Sequence, residues 1–545
     1  MSFRRLAILA SLACSLDFFP GVFGANVQNP FLRLPSDAPT HRQAVVDIFL
    51  ESYSAYKEFA FGHDDLTPVS KSFTDGRNGW GASIVDALST LQIMGQHELF
   101  NEAVNFSTKI DFSVSHTTDT VSIFETTIRY LGGLLSAFEL DGQRNPALVE
   151  KAKEVANKMT AAFEVPGASP VPFGHLDFNT SNPQFGTSNI AEAGTLTLEW
   201  FTLAKHTGND TYRQLAENSV RHIANLPAPL PAMPAQGIDP LSGQPVGAFV
   251  SWGGGSDSYF EYLIKYPRLT NTNDNIFADH WATAVDSSIK HLLRNSTVGN
   301  HIYLADQEDD GTISHVGSHL ACFHAGNWLF GGRLMNNQTV VDIGLKLNDA
   351  CWNTYASTFT GIGPEAFGFF SSDGNFTGSS PSADDIAFYN EHGFFILPGS
   401  SDYFLRPEVL ESNFYAWRVT GDRKFLDRAA AAIDSFNKFL KAPAGFAGIG
   451  NVNEANSGFI DDMESFWFAE VLKYLFLTFD DPDHINLDEW VFNTEAHPFR
   501  APRAKPTYGS RKLIPAASFA PFRSTSGKLP LVSPSSKLPN NIPDL

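Results

Sequence analysis

The feature that most constrains the fold is a helical hairpin whose pattern recurs along the chain. In its clearest copy, apolar side chains follow one another at intervals of four, three, four and three residues, at Phe124, Ile128, Leu131, Leu135 and Phe138. This spacing places the side chains on one face of a helix. The stripe ends at Asp141-Gly142, and a second helical pattern begins near Asn145. Because a glycine after the last apolar turn is a helix stop signal, the pattern predicts two helices joined by a short turn.

Three further stretches carry the same pattern. They cover residues 91–94, 198–206 and 414–419, and they are followed by Gly95, Gly208 and Gly421. The copies lie roughly 50 residues or more apart, which is longer than a tetratricopeptide repeat. Long helical hairpins of this kind close into a ring, an α/α toroid, or stack into an open solenoid, and the pattern alone leaves both open. Strand signals are few, and residues 312–316 and 369–370 are predicted to pair in small hairpins.

The length and the charge of the chain exclude several classes of protein. The 545 residues, of which 43% are hydrophobic, can bury a large core. The net charge of −21 argues against duplex nucleic acid and against an anionic membrane surface as partners. Three cysteines are too few for a disulfide-dense scaffold or for a cysteine-rich zinc site.

The N-terminus has the composition of a secretory signal peptide. The basic pair Arg4-Arg5 precedes an apolar run over residues 6–16, which is too short to span a bilayer. Small residues around Gly24 predict cleavage there, so we interpret residues 1–24 as a removable signal. We therefore expect a mature protein without a membrane segment that enters the secretory pathway. We favour secretion, because no retention signal is evident.

Cysteines and sequons fit the same route. Cys322 and Cys351 remain once the signal is removed, and an oxidising compartment favours a disulfide between them. Six Asn-x-Ser/Thr sequons are candidate glycosylation sites. They lie at Asn105, Asn179, Asn209, Asn295, Asn337 and Asn375.

The C-terminal segment differs from the rest of the chain. We assign residues 25–500 to one helical domain and residues 501–545 to a separate extension. The extension is rich in proline, serine and basic residues and has no helical stripe. We expect it to be disordered and solvated, and we prefer this interpretation to that of a binding segment.

Several carboxylates lie inside apolar helical stretches, where an acid needs a partner or a function. Glu125 lies within the first stripe, with Arg129 one turn later on the same face. For this pair alone, a structural ion pair is the simpler interpretation. Glu192 and Glu199 lie seven residues apart, which again predicts one shared face.

Glu408 has the local sequence of a helix start. Pro407 suits the first helical position, so Glu408 is predicted in the first turn, where the helix dipole favours its ionised form. An ionised carboxylate is what a general base requires. The other acids in apolar surroundings are Asp257, Glu411, Glu464 and Glu470.

In a closed ring of helices, acids from distant parts of the sequence can face one axis. Such a cavity suits polyhydroxylated sugars and a hard cation such as calcium, which prefers oxygen ligands. Two carboxylates on either side of a glycosidic bond are the machinery of sugar hydrolysis. Phosphate-binding loops and zinc-protease helices have no match in the sequence. The acidic run over residues 306–310 is interpreted as a solvated loop.

A series of motifs runs from about residue 40 to about residue 500. As they stand, they are Asn78-Gly-Trp-Gly-Ala-Ser-Ile-Val-Asp-Ala-Leu88, Phe124-Glu-Thr-Thr-Ile-Arg129, Leu131-Gly-Gly-Leu-Leu135, His319-Leu-Ala-Cys-Phe323, Leu405-Arg-Pro-Glu-Val-Leu-Glu-Ser412, Asp462-Met-Glu-Ser-Phe466 and Phe492-Asn-Thr-Glu-Ala-His-Pro498. In this order they resemble the motifs of glycoside hydrolase family 47, the class I α-1,2-mannosidases. The resemblance implies an (α/α)7 barrel, an inverting mechanism, a calcium ion at the barrel floor, and a disulfide between Cys322 and Cys351. It also implies a mannosyl-oligosaccharide 1,2-α-mannosidase that trims α-1,2-linked mannose from the high-mannose N-glycans of glycoproteins. We expect this protein to act as a monomer.

The resemblance also implies roles for individual residues. Glu125 matches the proton donor, which acts through a water molecule. Asp257 and Glu408 match the candidates for the base that activates water, and the helix-start position favours Glu408. Thr494 matches the calcium ligand, through its hydroxyl and carbonyl oxygens. Residues matching the pocket floor around the sugar and the metal-bound waters are Arg129, Glu192, His319, Arg406, Glu411, Phe466, Glu470 and Glu495. Glu464 falls in a motif but is interpreted as structural.

The sequence departs from the family pattern in two places, and two alternative functions remain open. His324-Ala-Gly326 replaces the usual glycine pair after the Cys-Phe motif, which concerns loop shape. Gly255 stands where relatives that trim a single mannose tend to carry arginine, so it indicates the broader type that removes several mannoses. A lectin-like relative that binds glycans without cutting them is one alternative, and a toroid acting on another polysaccharide is the other. The retained Glu125, Asp257, Glu408 and Thr494 favour the enzyme.

Overall fold

The computed structural model describes residues 25–515 and residue 519. The predicted signal peptide over residues 1–24 lies outside the described residues, as does most of the chain after residue 515. Within the described part, none of the helices is both long and apolar enough to cross a membrane.

Most of the regular structure in the described chain is helical. In chain order the α-helices are α1 (Ala38–Phe59), α2 (Ala82–Ile93), α3 (His97–Ser107), α4 (Ile123–Glu125), α5 (Gly132–Leu140), α6 (Pro146–Met159), α7 (Ile190–Gly194), α8 (Thr197–Thr207), α9 (Thr211–Ala224), α10 (Asp257–Thr270), α11 (Ile276–His291), α12 (Phe323–Leu334), α13 (Gln338–Ala356), α14 (Ala383–His392), α15 (Glu408–Thr420), α16 (Lys424–Phe439) and α17 (Leu472–Phe479). Two π-helical turns, Thr126–Leu131 and Trp467–Val471, lead into α5 and α17.

The helices form two concentric rings. The inner ring consists of α2, α5, α8, α10, α12, α15 and α17, each in contact with the next. The π-helical turn before α17 contacts α2, so the ring closes. The outer helices α1, α3, α6, α9, α11, α13 and α16 alternate with the inner ones along the chain. The closed (α/α)7 barrel implied by the motifs is therefore confirmed, and the open solenoid is excluded.

The pattern of buried residues distinguishes the helices of the inner ring from those of the outer ring. Every residue of α15 from Val409 to Val419 is buried, as expected for a helix surrounded by others. The outer helix α16 instead buries one stripe that includes Phe425, Ala429 and Phe436. The predicted glycine stops are confirmed. Gly421, for example, follows α15 with φ of 74° and donates its N–H to the carbonyl of Trp417.

The described residues also form eight small antiparallel sheets in addition to the barrel helices. Their strands are β1 (Asp65–Thr67) with β2 (Ser72–Thr74), β3 (Val121–Ser122) with β4 (His175–Asp177) and β5 (Asn182–Pro183), β6 (Ser188–Asn189) with β7 (Gly237–Ile238) and β8 (Pro245–Val246), β9 (Leu293–Asn295) with β10 (Ile302–Leu304), β11 (Asp306–Gln307) with β12 (Ile313–Ser314), β13 (Val316–Ser318) with β14 (Ala366–Gly368) and β15 (Phe395–Ile396), β16 (Gly448–Ile449) with β17 (Phe459–Ile460), and β18 (Trp490–Phe492) with β19 (Pro498–Arg500).

The strand predictions are correct in outline and wrong in one place. The regions around residues 312–316 and 369–370 do pair, because Val316 lies opposite Gly368. The acidic run over residues 306–310 is a solvated loop only in its second part. It begins with strand β11, and Asp309 and Asp310 are exposed in the turn that follows. Even there, Asp309 Oδ1 accepts the N–H of Ala248 at 2.6 Å.

The hairpin of β18 and β19 packs against the inner ring of helices. Strand β18 contacts α10 and strand β19 contacts α5, so the loop between the strands is held between inner helices. Asn493 in this loop donates through Nδ2 to the carbonyl of Ile128 at 2.9 Å. The hairpin thus carries residues 493–497, which we call the plug loop, into the interior of the ring.

The first part of the C-terminal extension is ordered, contrary to expectation. Lys505 Nζ donates to the carbonyl of Thr272 at 2.7 Å, and Ser510 N–H donates to Asp279 Oδ1 at 2.7 Å. Residues 501–514 therefore lie against the ends of α10 and α11. Their contacts are mainly with backbone groups and loop residues, which leave no apolar periodicity in the sequence.

The expected disulfide between Cys322 and Cys351 is present and joins the start of α12 to α13. Replacing both cysteines by alanine is expected to lower the free energy of unfolding by about 2–5 kcal/mol, because the crosslink restricts the unfolded chain. Urea denaturation of the two proteins measures this difference. Equal unfolding free energies would show that the crosslink adds no stability.

Candidate active site

The inner helices begin around one cavity of about 480 Å³. Four of the predicted acids face this cavity from the first turn of a helix, and α4 consists of a single short turn. They are Glu125 at the end of α4, Glu192 in α7, Asp257 at the first position of α10 and Glu408 at the first position of α15. Helix starts carry partial positive charge, which offsets part of the cost of burying acids there.

Most of the predicted pocket residues do meet in this cavity. Those that line it are Glu125, Arg129, Glu192, Asp257, Arg406, Glu408, Glu411, Phe466, Glu470, Thr494 and Glu495. His319 does not line the cavity but lies behind the residues that do. Glu464 is buried and pairs with Arg77 Nη2 at 3.4 Å, which agrees with a structural role.

Glu125 is held as a carboxylate by two guanidinium groups. Arg129 Nε donates to Glu125 Oε2 at 2.8 Å, and Arg77 Nε lies 3.7 Å from the same oxygen. Burial alone would raise the pKa of Glu125, but these charges lower it below its usual range. The predicted ion pair of Glu125 and Arg129 is thus present, inside the cavity wall.

Arg129 connects Glu125 to the plug loop. Its Nη1 donates to Glu495 Oε2 at 2.8 Å and lies 3.5 Å from Asp86 Oδ2. The guanidinium also lies over the ring of Phe466, at 5.7 Å from its centroid. One buried cation therefore fixes three parts of the site relative to one another.

Glu408 is oriented by His319. The imidazole Nδ1 donates to Glu408 Oε2 at 2.7 Å, and Nε2 hydrogen-bonds the hydroxyl of Tyr355 at 2.6 Å. Burial would raise the pKa of Glu408, but the bond from His319 and the charge of Arg406 lower it. The carboxylate is therefore ionised and fixed in direction, as a base must be.

Asp257 has the opposite electrostatics. Burial raises its pKa to about 7, and the charges of Glu261 and Glu408 add to this rise, while the N–H of Ser258 opposes it. Glu192 behaves in the same way. Burial raises its pKa to about 7, although Ser188 Oγ donates to it at 3.0 Å. The cavity thus combines ionised and protonated carboxyl groups near neutral pH.

The floor of the cavity carries an excess of buried acid. Glu411 and Glu470 have pKa values well above the usual range, and Glu495 has a pKa of about 8, in each case because of burial first. Lys265 lies 4.0 Å from Glu411 and is also paired with Glu261. Arg129 also pairs with Glu495. Both cations are shared with other carboxylates, so the buried acids exceed them and raise one another's pKa.

Thr494 lies on the same floor and is partly open to the cavity. Its N–H donates to the hydroxyl of Tyr262 at 3.2 Å, which fixes the backbone of the plug loop. Among residues 25–515, no three His, Cys, Asp or Glu side chains are arranged to hold a metal between them. The oxygens that face this floor are those of Thr494 and of the surrounding carboxyl groups.

One prediction about the helix faces is wrong. Glu192 and Glu199 do not share a face, because the chain turns between α7 and α8. Glu199 is buried away from the cavity, where it accepts hydrogen bonds from Tyr262 and from Asn493 Nδ2 at 2.8 Å. Its role is to support the plug loop.

Sequence reasoning missed several residues of the site. Arg77 contacts Glu125, Asp86 contacts Arg129, and Glu261 and His175 line the cavity. Asp86 lies inside the motif that begins at Asn78, so its position was the available signal. Glu261 lies one helical turn after Asp257 in α10, outside the quoted motifs.

The fold and the site together define a class of protein: a carboxylate-bearing α/α-barrel glycoside hydrolase. The model of glycosyl hydrolase family 47 matches residues 48–501. The chain belongs to this family.

Similar proteins span nearly the whole domain. The mannosyl-oligosaccharide α-1,2-mannosidase 1B of Aspergillus phoenicis is 38% identical over 500 residues, which is 88% of this chain and 94% of that protein. The enzyme of the same name from Emericella nidulans is 39% identical over 495 residues, with 87% and 95% covered. The solved α-1,2-mannosidase from Trichoderma reesei has a TM-score of 0.81 at 37% identity and covers 85% of this chain and 99% of its own.

Proposed function

We propose that this protein is an inverting, calcium-dependent exo-α-1,2-mannosidase that trims high-mannose N-glycans. The observation that carries the proposal is the cavity in which Glu125, Asp257 and Glu408 meet at helix starts. The names of the relatives supply the substrate class. Hydrolysis of α-1,2-mannobiose, set beside α-1,3- and α-1,6-mannobiose, tests the linkage. Cleavage of the α-1,2 isomer is expected, and preference for another linkage would contradict the proposal.

Glu408 is proposed as the base. Its ionised carboxylate would take a proton from the water molecule that attacks the anomeric carbon. His319 holds this carboxylate in one direction and keeps its pKa low. An inverting enzyme needs this base and a separate proton donor on the other side of the glycosidic bond.

The donor has two candidates, and the electrostatics distinguish them. Glu125, implied by the family motif, is ionised by its arginine partners and would need a relaying water molecule. Asp257, with a pKa of about 7, still carries a proton near neutral pH. Asp257 can therefore donate a proton directly when it is protonated, whereas Glu125 depends on a proton relayed by water.

The different protonation of Glu125 and Asp257 predicts how the rate of hydrolysis depends on pH. A donor must be protonated, so kcat/KM should fall as the pH rises through about 7. Asp257→Asn should remove this basic limb and lower the remaining rate by about 10²–10⁴-fold. Glu125→Gln, measured across the same pH range, is the matched comparison. Loss of the basic limb in Glu125→Gln alone would assign the donor role to Glu125.

The residues of the floor fit a calcium ion. All available donors are oxygens, and the buried carboxyl groups exceed the cations near them, which is the environment that calcium prefers. Thr494 would hold the ion through its hydroxyl and carbonyl oxygens, with waters between the ion and Glu411, Glu470 and Glu495. A bound calcium ion polarises hydroxyl groups of a sugar and offsets the negative charge of the floor.

Gly255 supports the proposal of a broad substrate range. Its φ is 87°, a conformation that glycine adopts without strain and arginine does not. Arginine is therefore disfavoured at this position, and the proposal that several mannoses are removed rests on its absence.

We also propose secretion of the protein. The asparagines of all six sequons are exposed, at Asn105, Asn179, Asn209, Asn295, Asn337 and Asn375, as glycosylation requires. A monomer that binds glycans within one barrel is sufficient for the proposed activity.

A further inference from the structure

The sheet of β3, β4 and β5 forms one wall of the cavity. Thr120, which precedes β3, and His175, at the start of β4, both line the cavity. Gln184, the residue directly after β5, joins them. Its N–H donates to the carbonyl of His175 at 2.8 Å, and Thr120 Oγ1 donates to Gln184 Oε1 at 3.3 Å.

Phe185 follows Gln184 at the top of this wall and is 64% exposed. Its ring packs edge-on against Phe173, with centroids 4.9 Å apart. Phe173 is followed by Gly174, where a side chain would begin 2.8 Å from Glu192 Oε2. The chain after Phe185 leads within a few residues to Asn189 and Glu192, which line the cavity.

Phe185 therefore adjoins the cavity without being one of the described residues that line it. Its aromatic partner anchors the ring from one side and leaves the other side to solvent. Scattered exposed aromatic side chains are normal on a protein surface. This one stands out because the residue before it is hydrogen-bonded to His175 of the cavity lining and the chain after it reaches the lining at Asn189.

The chemistry of the wall suits a sugar. A pyranose has an apolar face of C–H groups and a rim of hydroxyls, so it matches an aromatic ring that has hydrogen-bonding neighbours. His175 supplies one such neighbour. Burial lowers the pKa of His175, so its neutral ring can both donate and accept. The exposed amide of Gln184 supplies a second neighbour.

We propose that Phe185 is a stacking surface for mannose residues of the glycan that lie beyond those held in the cavity. The inference rests on the proposed function and deepens it, because it makes Phe185 a specificity-determining residue for long substrates. A disaccharide is held by the cavity itself, whereas a branched glycan extends past the rim to the ring of Phe185.

The test is a comparison of two substrates in Phe185→Ala. The ratio of kcat/KM for a nine-mannose glycan to kcat/KM for α-1,2-mannobiose is expected to fall about two- to tenfold, mainly through KM for the glycan. Phe185→Trp should restore the ratio, because it restores an aromatic face. Phe185→Leu should not, although it is also apolar.

Phe31→Ala is the matched control. Phe31 is 83% exposed and lies at the opposite end of the barrel, where Asn29 Nδ2 binds the carbonyl of Thr420 at the end of α15. Its substrate ratio should equal that of the parent. An unchanged ratio in Phe185→Ala, with the parent active on both substrates, would overturn the inference and leave the proposed function intact. A parent that hydrolyses neither substrate would overturn both.

Discussion

Replacing Glu408 by glutamine is expected to lower kcat by about 10²–10⁴-fold, the effect of removing a positioned general base. Glutamine keeps the size of the side chain and its hydrogen bonding with His319, so the nine-mannose glycan should still bind. Only the ability to accept a proton is lost. Turnover measurements and calorimetric titration of the same protein separate these two properties.

The control for this prediction is another Glu→Gln change outside the barrel interior. Glu391 in α14 has a side chain that is 78% exposed, so Glu391→Gln should retain the parent's kcat. The pH profile of the parent adds a second check. Because the pKa of Glu408 is lowered, activity should persist to a pH below the usual range of a glutamate before the base is protonated. Near-normal turnover in Glu408→Gln would remove this residue from the role of base.

Removal of calcium is expected to abolish hydrolysis and to lower the midpoint of thermal unfolding. An ion that binds only the folded state stabilises it by about 4 kcal/mol when its concentration is a thousandfold above Kd. Without the ion, the carboxyl groups of Glu411, Glu470 and Glu495 are left close together in a buried floor. Scanning calorimetry with and without a chelator measures the loss of stability independently of activity.

The pH dependence of this loss has a definite sign. A buried acid whose pKa is raised binds more protons in the folded state than in the unfolded state. For Glu495, with an ordinary value of 4.5 and a folded value of about 8, stability declines as the pH rises between these values. The chelated protein should therefore be less stable at pH 8 than at pH 5.

Thr494→Val supplies the control for the metal. This variant keeps the shape of the side chain but loses the hydroxyl ligand, so added calcium should raise its unfolding temperature less than it raises that of the parent. Equal unfolding temperatures and equal activity of the parent with and without chelator would contradict the calcium proposal.

The helices and their ends were predictable from sequence because they depend on local chemistry. The glycine after Thr420 ends α15 as predicted. The stretch from Phe124 to Phe138 is helical as predicted, but a π-helical turn over Thr126–Leu131 interrupts it, so it is not one regular helix. The first-turn position of Glu408 depends likewise on the adjacent Pro407. The motif order then supplied the barrel and most of the cavity residues.

The errors arise where distant parts of the chain decide the outcome. Glu192 and Glu199 were expected on one face, but the helix is interrupted after Gly194. A side chain at Gly194 would begin 2.5 Å from the ring of Tyr259, so this close approach comes from α10 and leaves no signal in the local pattern. The strand in residues 306–310 pairs with β12 and also bridges to Val250, which is again a tertiary contact.

Protonation states could not be predicted from sequence for the same reason. Glu125 and Asp257 are both acids at helix starts, yet their pKa values shift in opposite directions. The difference comes from Arg77 and Arg129 beside Glu125, and from burial without such a partner at Asp257. Only the closed ring brings these groups to their places.

The most direct test of the central claim is incubation of the purified protein with a nine-mannose N-glycan, with and without a calcium chelator. Products are followed by mass, and the anomer of the released mannose is followed by proton NMR. We expect loss of several hexoses, initial release of β-mannose and a block by the chelator. Binding of the glycan without loss of any hexose would contradict the proposed hydrolysis and identify a glycan-binding protein instead.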